Sequence, residues 1–61
     1  MNAVQIIRLR EKLGITQRKL AEMLGSTPAT VARWETGQHQ PRGGYLKALK
    51  ELEVKARKKN R

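Results

Sequence analysis

The sequence predicts an all-α fold built from four helices, and three observations carry that expectation. Apolar residues recur at the three- and four-residue spacing of a helix face, and glycines and hydroxyl residues punctuate the intervals between those runs. Alternation of apolar and polar residues never lasts long enough for a strand.

Helix one is expected over residues 2–13, NAVQIIRLREKL, where Ala3, Ile6, Leu9 and Leu13 share a face and Gly14 ends the pattern. Ile7 falls outside that stripe and reads as a scattered exposed aliphatic. Thr16 caps helix two, QRKLAEML, whose Leu20, Ala21 and Leu24 form a buried stripe, and Gly25 stops it in the left-handed conformation. Helix three is expected over residues 28–36. Thr27 caps it because a hydroxyl accepts a first-turn N–H, and Pro28 suits the first helical position, where its missing N–H costs nothing. At 100° per residue, Val31 and Trp34 lie together with Glu35 beside them, whereas Ala29, Ala32, Arg33 and Thr36 turn the other way. The first face is core. The second carries small residues and one guanidinium, so a bulky object can approach its backbone closely.

The stretch QHQPRGG, with Pro41 and two adjacent glycines, reads as a turn. Helix four follows from Tyr45, with Tyr45, Leu46, Leu49 and Leu52 spaced for burial, and is expected to fray near Lys55. The chain thus divides into a domain over residues 1–54 and a basic tail over 55–61, KARKKNR, which has five basic residues and no acid. Such a tail is either a solubilising end or an arm for phosphates.

A chain of 61 residues makes one domain with one small core, burying only about 60% of the surface its unfolded form exposes. There is no cysteine to form a disulfide framework, and the lone histidine, His39, leaves no ligand set for a structural metal, so neither metal nor cofactor is expected. The longest stretch without a charge, Met23 to Ala32, is too short to span a bilayer, and the N-terminus lacks a secretory hydrophobic region. The expectation is a soluble cytoplasmic protein. Its formal charge of +9 attracts polyanions, which makes nucleic acid the default partner. An anionic membrane would want an amphipathic helix with bulky apolar residues on its free face, and no membrane partner is expected.

Helix two, a turn of about three residues and helix three form a helix-turn-helix, a unit whose second helix can enter the major groove. The segment LGITQRKLAEMLGSTPATVARWETGQHQP resembles the phage repressor and Cro type of helix-turn-helix protein, also called the Xre family. Gln17 after the capping Thr16, Leu20-Ala21, Gly25, the Thr-Pro-Ala-Thr-Val run, Glu35, Gly37 and Pro41 carry the resemblance, which covers residues 6 to about 52. It implies a lambda-repressor-like fold of four helices, or five where members add a dimerising one; here apolar residues give out near Lys55.

The resemblance also implies roles. Thr16 and Gln17 would meet the DNA backbone at the start of helix two, helped by the free N–H groups and positive dipole end there. Thr27, Pro28, Ala29 and Arg33 match positions that face base edges and flanking phosphates. Arg33 would bond to guanine or to phosphate, and Pro28, Ala29 or the Thr30 methyl would pack on thymine methyls. Thr36, Gln38, His39 and Arg42 match a second phosphate-contacting segment. Thr36 stands where asparagine is frequent, and glutamines and a histidine replace several lysines; His39 itself reads as an exposed loop residue. Arg10 and Glu35 match a partly buried ion pair that ties helix one to the end of helix three. Trp34 shares a face with Val31 and is expected in the core.

Two functions follow. One is a sequence-specific DNA-binding regulator, most simply a repressor, whose dimer on double-stranded DNA would set two recognition helices about 34 Å apart. The other is an antitoxin that binds a toxin protein and represses its own operon, which needs an exposed apolar surface or a segment that orders on binding. An enzyme is not expected, because the five glutamates form no obvious acid-base pair and no phosphate-cradling glycine motif follows a strand. RNA suits the charge equally, but its deep, narrow groove excludes a helix that the wide major groove of DNA admits.

Overall fold

The computed structural model describes residues 1–59, and these form four helices with no strand among them. α1 spans Ala3–Leu13, α2 Gln17–Leu24, α3 Pro28–Glu35 and α4 Gly43–Lys59. The helices begin where short side chains can bond to the backbone. Asn2 accepts from the N–H of Gln5 at 2.9 Å while the Gln5 side chain accepts from the N–H of Asn2 at 2.8 Å, a reciprocal capping box. Thr16 accepts from the N–H of Lys19 at 3.0 Å and Thr27 from that of Thr30 at 3.2 Å. α1 and α2 end alike, at Gly14 and Gly25 with φ of 68° and 72°. Beyond each, the next residue's N–H reaches back to the helix, Ile15 to Arg10 O at 3.2 Å and Ser26 to Ala21 O at 2.8 Å.

These glycines give a direct test. A Cβ on Gly25 would meet no atom within 4 Å, so the cost of Gly25→Ala is the left-handed backbone itself, about 1 to 2 kcal/mol. Gly44 lies in the first turn of α4 with no positive φ and equally open space, so Gly44→Ala should stabilise by about 0.5 to 1 kcal/mol. Urea unfolding of the two variants checks the opposite signs.

Each helix contributes two residues to a common core: Ile6 and Leu9, Leu20 and Ala21, Val31 and Trp34, Leu49 and Ala56, none more than 3% exposed. Leu13, Ile15, Leu24 and Leu52 pack around it half-buried, as does Met1. Burying a Leu, Ile or Val side chain stabilises by roughly 1.5 to 3 kcal/mol, so Ile6, Leu9, Leu20, Val31 and Leu49 contribute more than the small Ala21 and Ala56.

Four boundaries differ from the sequence expectation, the first being that α1 starts at Ala3, with the extended Asn2 as its N-cap instead of its first helical residue. α3 ends at Glu35, and Thr36 is its C-cap: the Thr36 N–H still donates to Ala32 O at 3.0 Å, and its Oγ1 donates to Arg33 O at 3.2 Å. α4 starts at Gly43, ahead of Tyr45, and Tyr45 is 39% exposed instead of buried. Nor does α4 fray near Lys55. It continues to Lys59, since Ala56, two turns beyond Leu49, is a core residue small enough for close packing. Residues 60 and 61 of the basic segment lie outside the described residues.

Candidate nucleic-acid interface

α2 and α3 pack directly on one another, joined only by Gly25, Ser26 and Thr27. The inner side of α3 is tied down by Val31 and Trp34, buried at 0% and 3% exposure. The Trp34 ring lies 5.6 Å from that of Tyr45 at a tilt of 58°, which couples α3 to the first turn of α4. The expected core role of Trp34 holds.

With that side locked, Pro28, Ala29, Arg33 and Thr36 are all exposed, while Ala32 and Thr30 are half-buried. The Thr30 hydroxyl lies 2.9 Å from that of Thr27, so the two threonines brace the helix start. Arg33 has no carboxylate partner among the described residues. Beside α3 opens a concavity to which Thr30, Trp34, Gln38, His39, Arg42 and Tyr45 contribute. It sets the loop after α3 against the helix, so Gln38 and Arg42, both exposed, line it together with Thr30. The N–H groups of Gln38 and His39 bond back to Arg33 O at 3.0 and 3.3 Å, which pins the start of that loop.

The predicted Arg10–Glu35 pair is present. Arg10 Nε donates to Glu35 Oε2 at 2.7 Å and Nη2 donates to Oε1 at 3.2 Å, a two-point contact with side chains 22% and 6% exposed. Its Nη1 also donates to Ile15 O at 3.1 Å, which binds the turn after α1. The bond to Glu35 raises the guanidinium above its ordinary value, against the opposing effect of burial, so Arg10 stays charged. Among the described residues, no buried side-chain polar atom lacks a partner.

Gln17 is the position that sequence reasoning read incompletely. Its Nε2 donates to Glu35 Oε1 at 2.9 Å, so the side chain is held by the same carboxylate that holds Arg10. Two side chains thus converge on one acceptor from α1 and α2, and the start of α2 is locked to the end of α3. No local pattern signals this contact, because its partners are 18 residues apart. The Asn2/Gln5 capping box, by contrast, is a local pattern whose signal is the three-residue spacing of an amide pair. Thr16 is exposed at the α2 N-cap, and the first intrahelical bond of α2, from Leu20 to Thr16 O, leaves the N–H groups of Gln17 and Arg18 ahead of it.

A first helix with one buried stripe, a tight turn and a second helix with one face locked and one face bare define a helix-turn-helix of the DNA-binding class. A family model described as helix-turn-helix matches residues 6–52, most of the chain. The protein therefore belongs to the phage-repressor or Xre type of helix-turn-helix proteins, a family of DNA-binding transcriptional regulators, with the lambda-repressor-like fold. Comparison with curated proteins and with solved structures returns no match. No helix among the described residues is long and apolar enough to cross a membrane, and no group of residues there has the makings of a metal site.

Proposed function

We infer that this chain is a sequence-specific repressor in the cytoplasm that seats α3 in the major groove of double-stranded DNA. The observation that carries the reading is the asymmetry of α3, where Pro28, Ala29 and Arg33 stand exposed opposite the buried Val31 and Trp34. In this reading Pro28, Ala29 and the Thr27 and Thr30 methyls pack against base edges. Arg33 donates to guanine, and Thr16, Gln17, Thr36, Gln38 and Arg42 fix the register on flanking phosphates. Because Gln17 Nε2 is engaged by Glu35, its phosphate contact falls to the backbone N–H at the start of α2. A single module buries about 600 to 1,000 Å² on DNA, too little for strong discrimination, so two copies are expected to act on a palindromic site.

The test is binding of a fragment from upstream of the protein's own gene and of a scrambled fragment, each across a salt series. A preference of about a thousandfold at physiological salt supports a specific regulator; equal binding that disappears together as salt rises overturns it. Arg33→Ala should cost about 1 to 3 kcal/mol on the best site and relax choice at one base pair. An equal loss on every sequence assigns Arg33 to phosphate instead.

The antitoxin reading draws on exposed Val4, Met23 and Val54, apolar residues that a toxin would cover. Co-purification with the product of a neighbouring gene, lost on Val4→Asp, would support it.

A further inference from the structure

Tyr45, in the first turn of α4, stays 39% exposed although its ring packs obliquely on Trp34. A phenylalanine would cover Trp34 equally well, so the packing accounts for the ring and leaves the hydroxyl unexplained. That hydroxyl takes part in none of the side-chain hydrogen bonds among the described residues. Its surroundings are polar and cationic. The concavity beside α3 takes Thr30 and Trp34 from the helix, Gln38, His39 and Arg42 from the loop and Tyr45 from α4, and no carboxylate among the described residues lines it. Arg42 and Tyr45 border a second recess as well, with Leu24 and Gly44, and the Tyr45 N–H donates to Arg42 O at 3.2 Å. The two are thus neighbours on one surface, and Arg42 is exposed and joins none of the ion pairs among the described residues.

The dimensions of a helix in DNA say what would pass through the concavity. An α-helix with its side chains is about 10 to 12 Å across and the major groove about 12 Å wide, so a helix seated there has a phosphate backbone along each flank. Around α3, Thr30 and Trp34 lie about 60° and about 100° from Arg33 in one sense, whereas Thr36 and Ala32 lie about 60° and about 100° from it in the other. Continuing past Ala32 reaches Glu35, which accepts from Gln17 at the start of α2. The opposite flank, with Thr30 and Trp34, forms part of the concavity that Tyr45 also lines.

We propose that Tyr45 is a DNA-contacting residue whose hydroxyl donates to a phosphate oxygen of the backbone running along the Thr30 flank of α3, next to the phosphate that Arg42 meets. This rests on the reading that seats α3 in the major groove, and it adds to that reading a contact from α4. A phenolic O–H bonded to an anionic oxygen is stronger than a bond between neutral groups. The ring is already held against Trp34, so little side-chain freedom is lost when the bond forms. A phosphate contact of this kind fixes position on the duplex and carries no base preference.

The experiment uses the full chain, a duplex from upstream of its gene and a scrambled duplex, with affinity measured across a salt series. Tyr45→Phe is expected to weaken binding to both duplexes by about five- to tenfold, with an unchanged melting temperature because the ring and its packing on Trp34 remain. The salt slope should stay as in wild type, since a phenol displaces no counterion, whereas Arg42→Gln should reduce that slope by about one. Replacing phosphates of the upstream duplex one at a time by uncharged methylphosphonate locates the contact: at one of them the loss and that of Tyr45→Phe should not add. Binding of Tyr45→Phe within twofold of wild type on both duplexes overturns the proposal. A changed base preference overturns it as well, by placing the hydroxyl on a base edge, and so does a lowered melting temperature with additive losses at every phosphate, which makes the role structural. Failure of the repressor reading shows separately, as equal binding of the two duplexes by wild type; a five- to tenfold loss on both with Tyr45→Phe then still upholds the phosphate contact.

Discussion

Trp34→Ala is expected to remove most of the stability of the domain. Trp34 is 3% exposed, closes the core between α3 and α4, and stacks its ring obliquely on Tyr45. Emptying such a site costs about 3 to 5 kcal/mol. A domain of 61 residues has roughly 3 to 9 kcal/mol in total at the usual stability per residue. The variant should therefore lack a full cooperative melt by far-ultraviolet circular dichroism, whereas Trp34→Phe, which keeps an aromatic in the site, should retain one at lower temperature. A Trp34→Ala melt within a few degrees of wild type would show that the ring is not a core element. The result also guards interpretation, because DNA binding lost in this variant reports unfolding and not a lost base contact.

Glu35→Ala is expected to be the most damaging change of a charged residue. One carboxylate accepts from Arg10 Nε, Arg10 Nη2 and Gln17 Nε2, so its removal strands a guanidinium and an amide together. Breaking a fully buried pair costs about 3 to 5 kcal/mol; Arg10, 22% exposed on its side chain, still reaches water, which lowers the expectation to about 2 to 3 kcal/mol. A double variant, Arg10→Met with Glu35→Leu, should be less destabilised than either single change, because no charge is left unpaired. Additive losses in that cycle would argue that the pair is not coupled. In the repressor reading, freeing Gln17 also loosens the start of α2, so affinity should fall on all sequences alike, unlike the change of preference expected for Arg33→Ala.

The pair illustrates how unevenly the site could be read in advance. Arg10 and Glu35 came from the family resemblance, as did the base-facing role of Pro28, and the outward direction of Ala29, Arg33 and Thr36 came from the helical wheel of residues 28–36, which separated a locked face from a bare one. Gln17 was assigned to the DNA backbone, although its side chain is spent on Glu35. A residue's direction around its own helix follows from periodicity, but which neighbouring helix it meets depends on how the helices pack.

The amino-acid sequence by itself determined the number and order of the helices, the caps at Thr16 and Thr27, the stops at Gly14 and Gly25, and the identity of Leu9, Leu20, Val31, Trp34 and Leu49 as core. Those features rest on interactions within one or two helical turns, whose geometry is the same in any protein. Tertiary structure alone decided that α4 runs to Lys59 through a buried Ala56, that Tyr45 stays partly exposed, and that Gln17 joins a pair whose members are 25 residues apart. Each of these depends on where separate helices come to rest against a shared core, and an alanine or a glutamine carries no local mark of the partner it will meet there.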